Sequence, residues 1–213
     1  IPEFPTHLKT TKNKEFIFLV DCSASMIGES ISKAKQSIQY FISQIPNDSI
    51  FNVYQFGTKY VKFFDQSQPV NKKTKEEAQD KIKKIKANLG GTEMLNVFID
   101  IFSQKLSEQR EIFLITDGET YMREEVTKII EENNDSTRIF AIGLGNGADA
   151  GFLEEISELT NGKYDFVYDS SELLNKVKEH IELSLNELAL NGEIHLSNDK
   201  AFQVAPYPIK PFM

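Results

Sequence analysis

The sequence predicts a three-layer α/β/α sandwich with a mainly parallel central sheet and one antiparallel edge strand. Three observations lead there. Short apolar runs rich in β-branched and aromatic residues alternate with longer stretches whose apolar residues recur at helical spacing, the pattern of strand and crossover helix. The runs read as continuous rather than alternating, which suits strands buried on both faces. One pair of runs is separated by only three residues, too few for a crossover, so those two strands must be antiparallel.

The elements follow in order. Residues 16–20 form the first strand and 30–45 the first helix, with Ile31, Ala34, Ile38, Phe41, Ile42 and Ile45 on one face. Runs 50–56 and 60–64 flank Gly57-Thr58-Lys59, so they form a hairpin with the second run at the sheet edge. Helices are predicted over 76–89 and 94–106, a strand over 111–116, a helix over 124–132 and a strand over 138–144. A helix over 152–159, a strand over 163–167 and a final helix over 172–190 complete the series, which makes the fold Rossmann-like. Beyond it Asn191-Gly192 signals a turn, and Pro206, Pro208 and Pro211 crowd the end. The division is therefore 1–14 as a linker, 15–190 as the domain, and 191–213 as a strap or the start of a following module.

Composition narrows the function. The chain has 213 residues with 24 Lys+Arg against 32 Asp+Glu, a net charge of −8 that argues against nucleic acid, which needs a basic face. No run approaches the roughly 20 apolar residues of a membrane span. Cys22 is the only cysteine, so an intrachain disulfide is impossible, and an intracellular setting is expected over a secreted one. The start, Ile1-Pro2-Glu3-Phe4-Pro5, resembles neither an initiator methionine nor a signal peptide and suggests a piece of a longer protein.

The stretch "FIFLVDCSASMIG" ends a buried strand in Asp21, Ser23 and Ser25. Polar groups buried without partners cost about 1–3 kcal/mol each by mutational measures, so something must satisfy them. Two further polar clusters stand where loops leave or enter elements: Gly90-Gly91-Thr92-Glu93, and Thr116-Asp117-Gly118-Glu119 after "EIFLI". Ligands of doubly wound sheets bind at such strand ends. Each cluster alone has a plainer reading: a helix N-cap for Asp21 to Ser25, a loop with a Thr cap for Gly90 to Thr92, a turn for Asp117-Gly118. Together they supply only oxygen donors, which suits a small hard cation such as Mg²⁺.

Asp21-x-Ser23-x-Ser25, a distant Thr92 after a double glycine, and Thr116-Asp117-Gly118 resemble the metal-ion-dependent adhesion site of a von Willebrand factor type A domain. The strings "EFIFLVDCSASM", "LGGTEM" and "IFLITDGE" are most similar to the subgroup found with vault-protein-inter-α-trypsin domains, as in inter-α-trypsin inhibitor heavy chains and the vault poly(ADP-ribose) polymerase. The resemblance implies that Ser23 and Ser25 bind the metal directly and Thr92 directly or through water. Asp21 and Asp117 would act largely through water and by holding the hydroxyls. The metal would be Mg²⁺, or Mn²⁺ or Ca²⁺, and the ligand a partner protein's Asp or Glu, because neutral direct donors leave the cation under-neutralised. Glu93, Glu119 and Met26 would ring the approach. Ala24 stands where the family often has glycine, and its Cβ would penalise a positive φ there.

Enzymatic readings fare worse. A phosphohydrolase of the haloacid-dehalogenase type would use Asp21 as nucleophile, but Ser23 stands where its second acid belongs. A serine hydrolase needs G-x-S-x-G, which is absent, and His7, His180 and His195 form no cluster in the sequence. Cys22 reads as a buried, inert thiol, and Gly143-Leu144-Gly145-Asn146-Gly147 as a loop closing over the sheet end. The expectation is a non-enzymatic, metal-dependent interaction module, with a structural domain carrying a vestigial site as the alternative.

Overall fold

The computed structural model describes residues 14–104 and 109–185; the expected segments 1–13, 105–106, 186–190 and 191–213 lie outside the described residues. Seven strands form one sheet: β1 Glu15–Asp21, β2 Ile50–Phe56, β3 Tyr60–Lys62, β4 Gln68–Pro69, β5 Arg110–Thr116, β6 Thr137–Leu144 and β7 Lys163–Val167. Their order is β3-β2-β1-β5-β6-β7, with β4 also pairing β2. All pairings are parallel except those of β3 and β4 with β2. Among the described residues the α-helices are α1 Glu29–Gln44, α2 Lys72–Lys83, α3 Leu95–Ser103, α4 Arg123–Glu131, α5 Ala150–Leu159 and α6 Leu173–Leu185.

Two cores lie on opposite faces of the sheet. Phe16, Phe18 and Val20 of β1 face α1, α2 and α6 through Ala34, Ile38, Ala78, Ile82, Val177 and Ile181. Ile17 and Leu19 face α3, α4 and α5 through Val97, Phe98, Val126, Ile130, Phe152 and Ile156. Every residue of β1, β5 and β6 is buried, which is why their sequences do not alternate. Phe41 anchors one core, with ring centroids 5.2 Å from Phe18 and 4.9 Å from Phe113; truncating such a ring costs about 3–5 kcal/mol.

The structure departs from the sequence expectations in three places. The edge strand stops at Lys62, because buried Asn52 takes over beyond it: its side chain donates to Phe64 O (2.9 Å) and accepts from Phe64 N–H (3.2 Å). Helix α2 begins four residues earlier than its apolar spacing suggested, since Asn71 and Thr74 form a reciprocal capping box, and it ends at Lys83 rather than 89, since backbone bonds draw Leu89 to Cys22 and Thr58. The two-residue strand β4, containing Pro69, was not foreseen.

The N-terminal pole of the sheet holds a buried ionic cluster. Arg138 forks onto Glu111 at 2.7–3.1 Å, Lys14 lies 3.3 Å from Glu111, and Arg110 pairs with Glu15. Arg138 and Lys14 also donate to the Ser184 carbonyl, at 2.7 and 3.1 Å, which ties the end of α6 to this pole.

Candidate metal centre

The candidate clusters Asp21–Ser25, Gly90–Glu93 and Thr116–Glu119 lie at the opposite, C-terminal pole. Strand β1 is the switch point of the sheet: the chain runs from it to β2 on one side, and β5 flanks it on the other. Asp21 ends β1 and Asp117 follows β5, so the two carboxylates stand at the mouth of the crevice where such sheets bind ligands.

Asp21 is fully buried. One of its oxygens accepts the Ser23 N–H (2.8 Å) and the other the Thr116 hydroxyl (2.7 Å). Burial pushes its carboxyl above the ordinary range, against the pull of those two donors, and the nearby Asp117 charge adds to the rise. The Ser23 hydroxyl lies 2.9 Å from that of Ser25, which in turn donates to Asp117 Oδ1 at 2.7 Å. Ser23 is buried while Ser25 is exposed, so this chain of oxygens opens to solvent on one side.

The plain helix-cap reading fails for the serines. The short 3₁₀ turn Ala24–Met26 has no side-chain cap, and α1 is preceded by Gly28, which caps nothing through a side chain. The Ser23 and Ser25 hydroxyls bond to each other rather than to backbone N–H groups. Ala24 opens the 3₁₀ turn and is not among the residues with positive φ, so its Cβ carries no penalty. Met26 is fully buried and does not ring the approach; Glu93 is half-buried and Glu119 exposed.

Thr92 joins the site by packing rather than by a hydrogen bond. A Cβ on Gly118 would lie 2.7 Å from the Thr92 hydroxyl, so only a glycine lets the two loops approach this closely. Glu93 and Tyr121 bridge the same two loops. Backbone bonds fix the Thr92 loop from below: Leu89 N–H to Cys22 O (2.9 Å), Ala24 N–H to Gly90 O (3.0 Å) and Thr58 N–H to Leu89 O (2.8 Å). The Thr58 hydroxyl accepts the Gly91 N–H at 2.9 Å. Gly90 needs its φ of +92° to make this turn.

Sequence reasoning named Thr116 without giving it a role and did not name Thr58 as a contributor. Thr116 orients Asp21 and accepts the Gly118 N–H at 3.3 Å. Thr58 carried no signal, because its role depends on a loop 33 residues away. Cys22 is buried, and burial, with Asp21 beside it, pushes its thiol up to about 12. His180 is buried on α6 with Nε2 2.9 Å from Asp165, apart from these clusters.

The donor set fits a small divalent cation. Among the described residues no three His, Cys, Asp or Glu side chains gather as a metal cluster, so hydroxyls would have to supply direct donors. Adjacent ligands of an octahedral ion bound at about 2.0–2.1 Å stand about 2.8–3.0 Å apart. The Ser23 and Ser25 hydroxyl oxygens are 2.9 Å apart and Ser25 Oγ is 2.7 Å from Asp117 Oδ1.

Comparison with known proteins places these features in context. The family model for the von Willebrand factor type A domain matches residues 14–166. A von Willebrand factor A domain-containing protein of Dictyostelium discoideum is 33% identical over 202 residues, covering 94% of this chain and 22% of its own length. The von Willebrand factor A domain-containing protein 5A of Rattus norvegicus is 28% identical over 208 residues, covering 91% and 25% respectively. The chain therefore spans about a quarter or less of these curated relatives. A solved von Willebrand factor type A structure from Catenulispora acidiphila superposes with a TM-score of 0.74 at 20% identity, over 82% of this chain and 43% of that one. Proximal thread matrix protein 1 from the mussel byssus, solved with a zinc-occupied MIDAS motif, gives 0.66 at 18% identity, over 82% and 46%. At such identities the structural likeness shows the fold alone.

Proposed function

The chain belongs to the von Willebrand factor type A family, whose domains generally mediate protein–protein interactions, and on that premise we propose that it binds a partner protein through a divalent cation. In this reading Ser23, Ser25 and Thr92 hold the ion, Asp21 and Asp117 support it, and a partner Asp or Glu completes its coordination. The observation that carries the reading is the oxygen chain from Ser23 through Ser25 to Asp117, exposed at Ser25 and backed by the buried Asp21. The cation supplies positive potential for the incoming carboxylate. The residues around it orient: Thr116 fixes Asp21, and Gly118 lets Thr92 close on the site.

Mg²⁺ suits the hard oxygen set, with Mn²⁺ or Ca²⁺ as substitutes. The zinc-occupied MIDAS motif of the byssus protein supports the idea that a domain of this fold can hold a divalent ion. A catalytic role is disfavoured because the one thiol is buried and protonated and His180 is engaged with Asp165 away from the site. Placement beside a vault-protein-inter-α-trypsin domain, and an intracellular setting, belong to the same proposal; they rest on the sequence strings and the lone cysteine.

The test is selection of displayed peptides on the immobilised chain in Mg²⁺ and in EDTA. Enrichment of peptides with an Asp or Glu that depends on Mg²⁺, and is lost in Thr92→Ala, supports the reading. Binding indifferent to chelator and to Thr92→Ala sinks it and moves the interaction surface to the sheet edge.

A further inference from the structure

Asparagine precedes glycine at Asn146, at Asn161 and, outside the described residues, at Asn191. Such a pair is chemically labile: with no side chain on the following residue, its backbone nitrogen is free to reach the asparagine Cγ and close an imide ring. The fold treats the two described pairs differently. Asn161 turns the chain between α5 and β7 with a φ of +53°, and the Gly162 N–H donates to Ser157 O at 2.8 Å. A Cβ on Gly162 would collide with the Ile139 carbonyl, so that glycine is seated against β6. Asn146 and Gly147 stand exposed in the loop after β6, and among the described residues neither the Asn146 side chain nor the Gly147 N–H makes a hydrogen bond. Gly145, just before them, has a φ of +67° and open space around it. A Cβ on Gly147 would lie 2.7 Å from Asp117 O, so the approach of this loop to Asp117 requires a glycine, and the same bare backbone leaves the Gly147 nitrogen unshielded.

We propose that Asn146 is a site of spontaneous covalent modification, at which the side-chain amide becomes a carboxylate beside Asp117 as the molecule ages. The Gly147 nitrogen gives up its proton to solvent and bonds to Asn146 Cγ, while the Cγ–Nδ2 bond breaks and ammonia leaves with a proton taken back from solvent. Water then adds to the imide and opens one of its two C–N bonds. Opening on the side-chain carbonyl restores the main chain with an ordinary aspartyl residue. Opening on the main-chain carbonyl leaves an isoaspartyl residue, with the chain running through the former side chain. Water is the only co-reactant: a neutral amide and a water go in, a carboxylate and an ammonium ion come out. Asn146 and Asp117 line one groove whose lining contains no Lys, Arg or His, so nothing there neutralises the new charge. The isoaspartyl product also adds a main-chain carbon where the loop bears on the Asp117–Gly118 turn, through Gly147 and through Asp149 N–H to Gly118 O at 3.4 Å. An old molecule therefore differs from a new one in charge and loop path at this pole, whether or not a cation binds there.

The experiment incubates the whole chain at mildly alkaline pH, once native and once in guanidinium chloride. The peptides containing Asn146 and Asn161 are followed by mass spectrometry, with electron-transfer fragmentation to separate isoaspartyl from aspartyl product. In the native chain Asn146 is expected to convert about tenfold faster than Asn161 or more, since Gly162 must first give up its hydrogen bond and leave its seat on β6. In guanidinium chloride the two rates should converge to within about twofold, because both sites are then unfolded Asn-Gly pairs. A native Asn146 rate no greater than that of Asn161 overturns the proposal. So does a native excess that persists undiminished in denaturant, which would trace the difference to the neighbouring sequence and not to the fold.

Discussion

Replacing Ser25 by alanine separates a ligand role from a structural one, because the two roles give changes of different size under different conditions. In chelator the variant loses hydrogen bonds of 2.9 Å to Ser23 and 2.7 Å to Asp117, both at an exposed hydroxyl that water can replace. The cost should stay below about 1 kcal/mol. In Mg²⁺ at a hundredfold excess over the dissociation constant, the wild type gains about 2.7 kcal/mol by mass action. For a domain of this size that corresponds to a rise in melting temperature of roughly 5–11 °C. If losing the hydroxyl weakens the ion a hundredfold, the gain left to the variant is about 0.4 kcal/mol, or about 1–2 °C. The assay is a circular-dichroism melt of both proteins in Mg²⁺ and in EDTA, with Ser43→Ala, an exposed serine on α1, as the control. Wild-type curves that superimpose in Mg²⁺ and EDTA, or an equal Mg²⁺ shift in wild type and Ser25→Ala, would refute the reasoning.

Three further outcomes are expected. Burial raises the Asp21 pKa, so its protonated form adds stability below the unfolded value of 3.8, and that contribution is lost as pH rises through the folded value. In chelator the wild type should therefore gain on Asp21→Asn as pH falls toward 3.8, read from urea midpoints; a pH-independent difference would count against it. Gly118→Ala places a Cβ 2.7 Å from the Thr92 hydroxyl, so calorimetry should find weaker Mg²⁺ binding with the fold retained in EDTA. Arg138→Ala leaves the buried Glu111 with Lys14 alone and strips a donor from Ser184 O, and urea unfolding should show a loss of about 3–5 kcal/mol.

The fold was legible because its central strands are buried on both faces and so are spelled as unbroken apolar runs, "FIFLV" and "EIFLI" among them. What the sequence hid was structure made by side chains standing in for backbone. Asn52 ends the edge strand by bonding both backbone groups of Phe64, yet in sequence it is one polar residue in an apolar run. Asn71 and Thr74 move the start of α2 into a stretch that reads as charged surface. The candidate residues Asp21, Ser23, Ser25 and Asp117 stand out in the sequence because they end or follow apolar strands, whereas Thr92, between two helices, stands out only by the double glycine before it. The ionic cluster at the other pole was not: Glu15, Arg110, Glu111 and Arg138 look like ordinary surface charges flanking strands, and only the sheet register brings them together.

The two halves of the site are braced differently. Asp21 ends the enclosed strand β1 and is held at one oxygen by Thr116 of β5 and at the other by the Ser23 N–H of the following loop, so its position is set largely by the core. The Thr92 loop is pinned on either side of Thr92, by Cys22, Ala24, Gly57 and Thr58, but the Thr92 hydroxyl itself makes no hydrogen bond among the described residues. Segments held by few contacts open at lower free energy than those built into a sheet. A partner's carboxylate that changes what the cation demands of its donors would thus meet least resistance at Thr92, and none of the core need move. Gly118 sets the limit of that motion, because the approach that lets Thr92 reach the site exists only where the facing residue has no Cβ. In the metal-dependent reading proposed above, the half built on Asp21 and Thr116 would hold the charge in place and the Thr92 half would adjust to what binds it.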